Sequence, residues 1–308
     1  MQRNETVHAR HSIAPWAVVA IVVFVIVDAG LVWWALASLR SDAGTPQGEV
    51  LPTLPPSTTV PASTSPTSTG EPAAPVAVAR PTVVLAALDA NLAYRGVVGR
   101  CPDAAATLEV TTDGGATWTP AYTAGLSDLQ SIEPADVDIV TMVARDPAAC
   151  GVGRYRSFVQ GADWEPTSEL EPTWYLDGGQ VAAPTGSSDP CGGAAVQVEA
   201  TSAESAAVLC GSGAVATTVD SGVSWADAGA PPTTIALAST SGGYLVAVTD
   251  DGCRGIRIQA LAPDAAPGAC LEADITTGTT AIDAASDGTL WAWTGGVLAR
   301  SANGGATW

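Results

Sequence analysis

The chain has 308 residues, a net charge of −19 and twelve basic residues, all of them arginine. An acidic surface repels phosphate groups, so the composition excludes a DNA- or RNA-binding protein. Both histidines, His8 and His11, lie near the N-terminus, so everything downstream lacks Ser-His-Asp and Cys-His catalytic groups and histidine metal ligands.

The N-terminal part of the chain predicts a membrane anchor. Residues 1–13 form a mostly polar tail, and residues 14–39 are almost wholly apolar, which is long enough for a transmembrane helix. Arg3 and Arg10 precede the apolar segment and favour a cytoplasmic N-terminus. Abundant alanine and glycine are typical of a bacterial protein. The predicted location is therefore the bacterial cell membrane, single-pass, with the rest of the chain extracytoplasmic.

Two residues of the apolar segment leave alternatives open. Asp28 is costly in a bilayer when ionised, so it is either protonated or an assembly contact with another membrane helix. Cleavage after Ala37 would release the protein, but the apolar run is longer than that of a usual signal peptide, which favours an uncleaved anchor. Residues 40–81 are rich in Pro, Ser and Thr and predict a disordered extracytoplasmic linker.

An eight-residue pattern recurs in the remaining part of the chain. It consists of Ser/Thr, any residue, Asp/Asn, any residue, Gly, any residue, Ser/Thr and Trp, and it occurs at 111–118, 218–225 and 301–308. A fourth copy at 157–164 keeps Ser, Gly and Trp but lacks the first carboxylate. The defining residues are Thr111, Asp113, Gly115, Thr117, Trp118, Ser157, Gly161, Trp164, Thr218, Asp220, Gly222, Ser224, Trp225, Ser301, Asn303, Gly305, Thr307 and Trp308.

Each residue type in the pattern suits a tight β-hairpin. The Asp or Asn side chain accepts hydrogen bonds from backbone N–H groups just downstream, and the glycine takes positive φ without a Cβ clash. The two Ser/Thr residues are expected to bridge the arms of the hairpin, and the Trp to pin the turn to the body of the fold. We therefore expect Asp113 and Asp220 to be structural rather than catalytic.

The pattern resembles the Asp-box, or BNR repeat, of sialidases, sortilin-type receptors and photosystem-assembly propellers. The resemblance implies a β-propeller in which each box lies on a hairpin near the outer rim of a blade. It does not extend to sialidase catalysis, because the Arg-Ile-Pro motif of that family is absent and the spacing of the arginines singles out no triad. A non-catalytic member of the family is therefore predicted.

Short alternating apolar runs from Thr82 onward predict an all-β domain over residues 82–308. The spacing of the box tryptophans predicts about five four-stranded blades, with six or seven if the chain is truncated at Trp308. Because no strand follows the last box, Thr82–Leu88 is expected to pair with the last blade and close the ring. The predicted blades are 82–121, 126–167, 173–229 (with an insertion), 234–274 and 279–308.

Six cysteines lie in the predicted propeller, and an even number outside the membrane predicts disulfides. Fifteen pairings are possible, and proximity along the chain favours one of them. The favoured pairs are Cys101–Cys150, Cys191–Cys210 and Cys253–Cys270. A zinc site is the rival interpretation, but the CxxC spacing and histidine are missing. Neither a metal nor another cofactor is predicted.

Arg154, Tyr155 and Arg156 form the one basic and aromatic cluster of the acidic domain. They are the candidate contact for an anionic ligand or a partner carboxylate; the alternative is a strand with outward arginines and an inward tyrosine. A glycosidase would need two carboxylates, and among so many acids such pairs arise by chance. The candidates considered are Asp136, Asp138, Asp250 and Asp251. No catalytic residue is assigned.

These features predict a membrane-anchored extracytoplasmic β-propeller that binds an envelope or membrane protein, or a surface glycan, and does no chemistry. The alternative function is a sialidase-like exo-glycosidase acting on surface glycans. A small cytoplasmic tail leaves little room for a signalling role.

Overall fold

The computed structural model describes residues 77–167 and 174–308. The predicted tail, the apolar segment with Asp28 and Ala37, and most of the predicted linker lie outside these residues. In the described part of the chain, no helix is long and apolar enough to cross a bilayer. This part consists of β-strands and turns, which confirms the all-β prediction for it.

The described residues form six antiparallel sheets. The first contains β1 (Val83–Ala87), β2 (Ala93–Val97), β3 (Thr107–Thr111) and β4 (Thr119–Ala121). The second contains β5 (Ser127–Pro134), β6 (Val140–Arg145), β7 (Val152–Ser157) and β8 (Glu165–Pro166). The third contains β9 (Tyr175–Asp177), β10 (Gln180–Ala183) and β11 (Gly186–Ser188).

The remaining sheets follow the same plan. The fourth contains β12 (Ala195–Ala200), β13 (Ala206–Cys210), β14 (Val215–Thr218) and β15 (Ala226–Asp227). The fifth contains β16 (Thr234–Thr240), β17 (Gly243–Asp250), β18 (Cys253–Ala260) and β19 (Leu271–Glu272). The sixth contains β20 (Ala281–Ala284), β21 (Leu290–Thr294) and β22 (Val297–Ser301).

The first strand of each sheet belongs to the inner wall of a closed ring. In chain order, each of these strands contacts the first strand of the next sheet, and β20 contacts β1. Successive strands of each sheet then pair outward from the wall. The described residues therefore form a six-bladed β-propeller, with a channel running between the innermost strands.

The predicted count of five blades is corrected to six. The predicted third blade, 173–229, is two sheets, and the segment taken as its insertion belongs to the third sheet, which ends at Ser188. The strands of that sheet have only three or four residues, too short to show an alternating pattern. Its innermost described strand also runs in reverse: Trp174 lies at one end of the channel, while Asp177 pairs with Arg145 at the other.

The predicted closure of the ring by strand pairing is wrong. Val83–Ala87 pairs with β2 and is the innermost strand of the first sheet, not an outer strand of the last. Side-chain hydrogen bonds help to join the sixth and first blades. Asp283 Oδ2 accepts a hydrogen bond from Ala87 N at 2.6 Å, and Trp291 Nε1 donates to Asp89 O at 3.1 Å. Arg300 also donates to the Ala90 carbonyl.

The hydrophobic core lies in layers between neighbouring blades. Between the first and second blades, Tyr94 and Leu108 pack with Val140 and Met142. Similar clusters join the third blade to the fourth, the fourth to the fifth, the fifth to the sixth and the sixth to the first. The first, fourth, fifth and sixth sheets thus bury side chains on both faces, as stacked blades require.

Antiparallel pairing gives the ring two distinct faces. Apart from β9, the innermost strands all run towards the same face, which we call the mouth face. The opposite face, which is crossed by residues 77–82, is called the strap face. Third strands run parallel to first strands, so the loops that follow them also lie on the mouth face. The loops after second strands lie on the strap face.

Candidate functional site

The channel opens on the mouth face into a cavity of about 920 Å³. The ends of five innermost strands line it, with Leu85–Leu88 from the first blade and Ser239–Ser241 from the fifth. Its surface is about equally polar and apolar, and the cavity is large enough for a side chain or a small ligand. This cavity, the channel mouth, is the candidate site.

Three carboxylates reach the channel mouth: Glu133, Glu199 and Asp283. Each is the second-to-last residue of the first strand in its sheet, and these sheets are the second, fourth and sixth. The three acids therefore come from alternate blades and are evenly spaced around the ring. Their convergence places three carboxyl groups at the mouth, and it is set by strand register rather than by local sequence.

Glu199 is half-buried, unlike the exposed Glu133. It lines both the channel mouth and a smaller cavity of about 70 Å³ further down the channel. Burial raises the pKa of Glu199 to about 8, and the negative charges of Asp283 and Glu133 add to the rise. A hydrogen bond from Gln197 Nε2 to Glu199 Oε1 at 3.0 Å partly offsets the effect.

Asp283 is held against the first blade by the bond from Ala87 N. Burial raises its pKa to about 6, while the backbone hydrogen bonds from Ala87 and Ala284 favour the charged form. Two acids with raised pKa values therefore face one cavity. A cation bound between them would be favoured, because it stabilises the charged form of both.

The predicted ligand cluster divides in the structure. Arg154 lines the channel mouth, and its guanidinium lies 3.3 Å from Glu133 Oε2. Tyr155 packs against the core between the first and second blades. Arg156 lies on the same face of β7 as Arg154 but outside the channel mouth. Only Arg154 thus belongs to the candidate site.

The repeated eight-residue segments form similar turns on the mouth face, each following a third strand. In the turn at 111–118, Asp113 Oδ1 accepts from the Thr111 hydroxyl at 2.8 Å and from Thr117 N at 2.9 Å. Its Oδ2 accepts from Thr117 Oγ1 at 2.6 Å. The two hydroxyls thus meet on the carboxylate, which links the two arms of the turn.

The turn at 218–225 repeats this scheme with the same distances around Asp220: 2.8 Å from Thr218 Oγ1, and 2.9 and 2.6 Å from Ser224 N and Oγ. The hydrogen bonds, led by that from the Ser224 side chain, lower the pKa of Asp220 to about 2. The Thr117 side chain does the same for Asp113, whose pKa is also about 2.

The other two copies vary the scheme. Asn303 Oδ1 accepts from Ser301 Oγ at 2.8 Å and from Thr307 N at 3.0 Å, while its Nδ2 donates to Thr307 Oγ1 at 3.0 Å. At 157–164, the hydrogen bond from Gly161 N to Ser157 Oγ at 2.8 Å remains, although no carboxylate is present at the third position.

Glycine is required at the fifth position of the turn. Gly222 has φ +86°, and a Cβ there would lie 2.6 Å from the Cβ of Ala183 in the third blade. The turn therefore packs directly against the neighbouring sheet. The tryptophans do the same through their ring nitrogens: Trp164 Nε1 donates to Tyr122 O, and Trp225 Nε1 to Ser188 Oγ. These are structural contacts.

All six cysteines form the favoured disulfides, so those pairings are confirmed: Cys101–Cys150, Cys191–Cys210 and Cys253–Cys270. The first joins the loops after β2 and β6 and so links the first two blades. Cys191 lies between the third and fourth sheets rather than inside one blade as predicted. Across the described residues, no group of three His, Cys, Asp or Glu side chains is placed to hold a metal ion.

The acids considered from sequence have other roles. Asp250 forms an ion pair with Arg257 at 2.7 Å and accepts from Gly252 N, and Asp136 accepts from Val137 N. Asp138 and Asp251 also lie in loops. Sequence analysis missed Glu133, Glu199 and Asp283. A carboxylate one residue before the end of a strand is the signal, but it is visible only once the strand bounds are known.

At the strap face, the channel ends beneath the segment that leads into β1. Arg80 and Pro81 line the small lower cavity together with residues of five innermost strands. Val78 N donates to Gly211 O at 2.8 Å in the fourth blade, and Thr82 N donates to Gly278 O at 2.8 Å next to the sixth. We call residues 77–82 the strap.

No protein-family model matches the chain, and no curated protein matches it. Among solved structures, YCF48 bound to a D1 peptide is 19% identical over 74% of this chain and 66% of that chain, with a TM-score of 0.27. A GH74 xyloglucanase from Xanthomonas campestris is 18% identical over 72% and 37%, with a TM-score of 0.30. The SapL1 lectin in complex with alpha methyl fucoside is 11% identical over 74% and 98%, with a TM-score of 0.41.

This chain spans less than two thirds of the length of the first two of these structures. All three TM-scores are below 0.5. The assignment of a site and a function therefore rests on the residues of this chain and not on these likenesses.

Proposed function

We propose that this protein is a non-catalytic binding module: a membrane-anchored, extracytoplasmic propeller that binds an envelope or membrane protein at the channel mouth. The observation that carries the proposal is the convergence of Glu133, Glu199 and Asp283 from alternate blades on one open cavity. Such a site favours a cationic group, so a protein partner that presents Lys or Arg fits better than a neutral glycan.

The repeated turns support assignment to the Asp-box, or BNR, family. Three copies share one hydrogen-bond scheme around the third residue, and all pack a tryptophan against the blades. Their Asp and Asn side chains make several hydrogen bonds within the turn, as a residue that closes a turn would. The anchor at 14–39 and the cytoplasmic N-terminus remain predictions from the sequence.

The proposal is tested with full-length protein in detergent and a synthetic arginine-rich peptide as the probe. We expect the channel variant Glu133→Gln/Glu199→Gln/Asp283→Asn to bind the peptide at least about tenfold more weakly, a loss of about 1.4 kcal/mol. The matched control is Glu165→Gln/Asp251→Asn/Glu272→Gln, which makes the same three kinds of substitution at exposed sites outside the channel mouth. Equal weakening in both variants would mean that only the overall acidity attracts the peptide.

A second candidate function, glycoside hydrolysis, is favoured by one observation. The pKa of Glu199 is about 8, so it stays protonated at neutral pH beside Asp283, as a general acid beside a carboxylate would. The test is incubation with a panel of aryl glycosides that includes sialosides. Turnover that disappears in Glu199→Gln would replace the binding proposal with the enzymatic one.

A further inference from the structure

The strap crosses the full width of the ring. It starts beside Gly211 of the fourth blade, to which Val78 is hydrogen-bonded, and it leads into β1 of the first blade. These two blades are opposite each other in a ring of six. Both ends lie on the strap face, where the innermost strands of these blades begin. The strap therefore passes over the end of the channel that is opposite the mouth.

Three kinds of contact hold the strap in this position. Val78 is half-buried against an apolar cluster between the fourth and fifth blades. Arg80 reaches the second blade, where its guanidinium lies 3.1 Å from Asp128 Oδ1. The Thr82 backbone N–H and hydroxyl both donate to Gly278 O, at 2.8 and 3.0 Å. The strap thus contacts the second, fourth and sixth blades, the same three that supply the channel acids.

We propose that the strap is a positioning element of the channel site: it shuts the far end of the channel, separates the Glu199 carboxyl group from bulk water on that side, and leaves the mouth as the route of entry for a ligand. The ligand in this inference rests on the proposed function, whereas the closure of the channel rests only on the contacts of the strap. The site is then a blind pocket, whose depth is set by Arg80 and Pro81 rather than by any blade.

Several charged and titratable groups face Glu199 and need to be held constant in a test. They are Asp283 on β20, Glu133 on β5, Tyr244 on β17, Arg154 at the mouth and Arg80 on the strap. Release of the strap would let bulk water enter from below and favour the charged form of Glu199. An added negative charge on a docked strap would have the opposite effect.

The experiment introduces Glu199→Gln into the full-length wild-type protein and into full-length variants of the strap. The Tm of each protein is then measured with and without Glu199→Gln at a series of pH values. The pKa of Glu199 is raised in the folded state, so the folded protein holds this proton more tightly than the unfolded chain does. The stability that results is fully present below the ordinary pKa of 4.5 and is lost as the pH rises from there to about 8. In the wild-type background, the gain in Tm from Glu199→Gln should therefore grow across this interval.

The strap variant is Val78→Asp, which places a carboxylate against the apolar cluster and expels the strap. We expect it to reduce the growth of that gain by at least half, whereas Val78→Ile should keep it. The matched control is Val219→Asp, the same change at a valine that is 81% exposed on the mouth face. If Val78→Asp does not fold, Val78→Gly serves in its place.

An unchanged or larger gain in the strap variant would overturn the proposal, because the strap would then have no part in shielding Glu199. This outcome is separate from the fate of the proposed function. Peptide binding does not enter the unfolding measurement, and the arginine-rich peptide tests the mouth whether or not the strap shields the acid.

Discussion

Asp220 and Asn303 show how one turn accepts two different side chains. Each uses Oδ1 as the acceptor for a hydroxyl and a backbone N–H. They differ in the other terminal atom of the side chain: Asp220 Oδ2 accepts from Ser224 Oγ, whereas Asn303 Nδ2 donates to Thr307 Oγ1. A hydroxyl group can be donor or acceptor, so the geometry of the turn is preserved.

We expect Asp220→Asn to leave Tm almost unchanged at neutral pH, since Asn303 already performs this role. The pKa of Asp220 is lowered from 3.8 to about 2, so its contribution to stability is present above 3.8 and is lost as pH falls towards 2. Thermal unfolding over this interval should show a smaller loss in Asp220→Asn than in wild type. Equal acid sensitivity would show that the carboxylate charge does not contribute.

The sequence predicted the hydrogen-bonded turn that these residues form but not the convergence of the channel acids. The turn is built from local contacts between residues at most seven apart, and residue type and spacing are enough to specify it. Glu133, Glu199 and Asp283 are brought together by strand register across three sheets. Their neighbours in sequence are ordinary strand residues, so nothing local marks them as a site.

Between elements, glutamine side chains replace the hydrogen bonds that blades cannot form with one another. Gln197 on β12 accepts from Leu237 N at 3.0 Å and donates to Leu237 O at 2.6 Å, tying the fourth blade to the fifth. Gln130 on β5 accepts from Leu176 N at 3.1 Å, tying the second blade to the third. These contacts fix the spacing of the innermost strands, and hence the width of the channel.

We expect Gln197→Leu to lower the free energy of unfolding by about 1–3 kcal/mol for each backbone group of Leu237 that it leaves unpaired. Leu237 is fully buried, so water does not replace the lost partner. Urea denaturation measures the change, and Gln180→Leu, at an exposed position of β10, is the control. A loss no greater than that of the control would mean that the strands hold their spacing without the glutamine.

A second prediction concerns the junction of the sixth and first blades. Trp291 is fully buried there and donates to Asp89 O, so Trp291→Ala should cost about 3–5 kcal/mol through the cavity that it leaves. Trp118, at the same junction, is only partly buried, and Trp118→Ala should cost less. Urea denaturation would contradict this if the two losses were equal.

This junction also explains why sequence analysis erred on closure. The prediction was that a strand must complete the last blade, because strand pairing is the commonest way to remove an edge. In the structure, buried aromatic contacts and side-chain bonds from Asp283, Trp291 and Arg300 join the two blades. Such contacts involve residues some 200 apart, and no sequence pattern announces them.

At the scale of the whole molecule, the two faces are stabilised by different means. The repeated turns lie on the mouth face and rely on hydrogen bonds, whereas the disulfide Cys101–Cys150 joins two loops of the strap face. The pair Cys101–Cys150 closes the longest loop, with a sequence separation of 49. In the chain-entropy description, the longest loop contributes most to stability.

We therefore expect Cys101→Ser/Cys150→Ser to cost about 4 kcal/mol, and Cys253→Ser/Cys270→Ser about 3 kcal/mol. Thermal and urea unfolding of the two double variants show which of the two losses of stability is larger. The opposite order would indicate that the first two blades hold together without the covalent link, through the core around Tyr94 and Met142.

The placement of the strap has a practical consequence for any labelled form of the protein. A fluorophore or affinity handle joined directly before Ala77 would be attached on the sealed side of the toroid, and the acidic vestibule would stay open. One joined after Trp308 would stand on the same side as that vestibule and crowd whatever docks there.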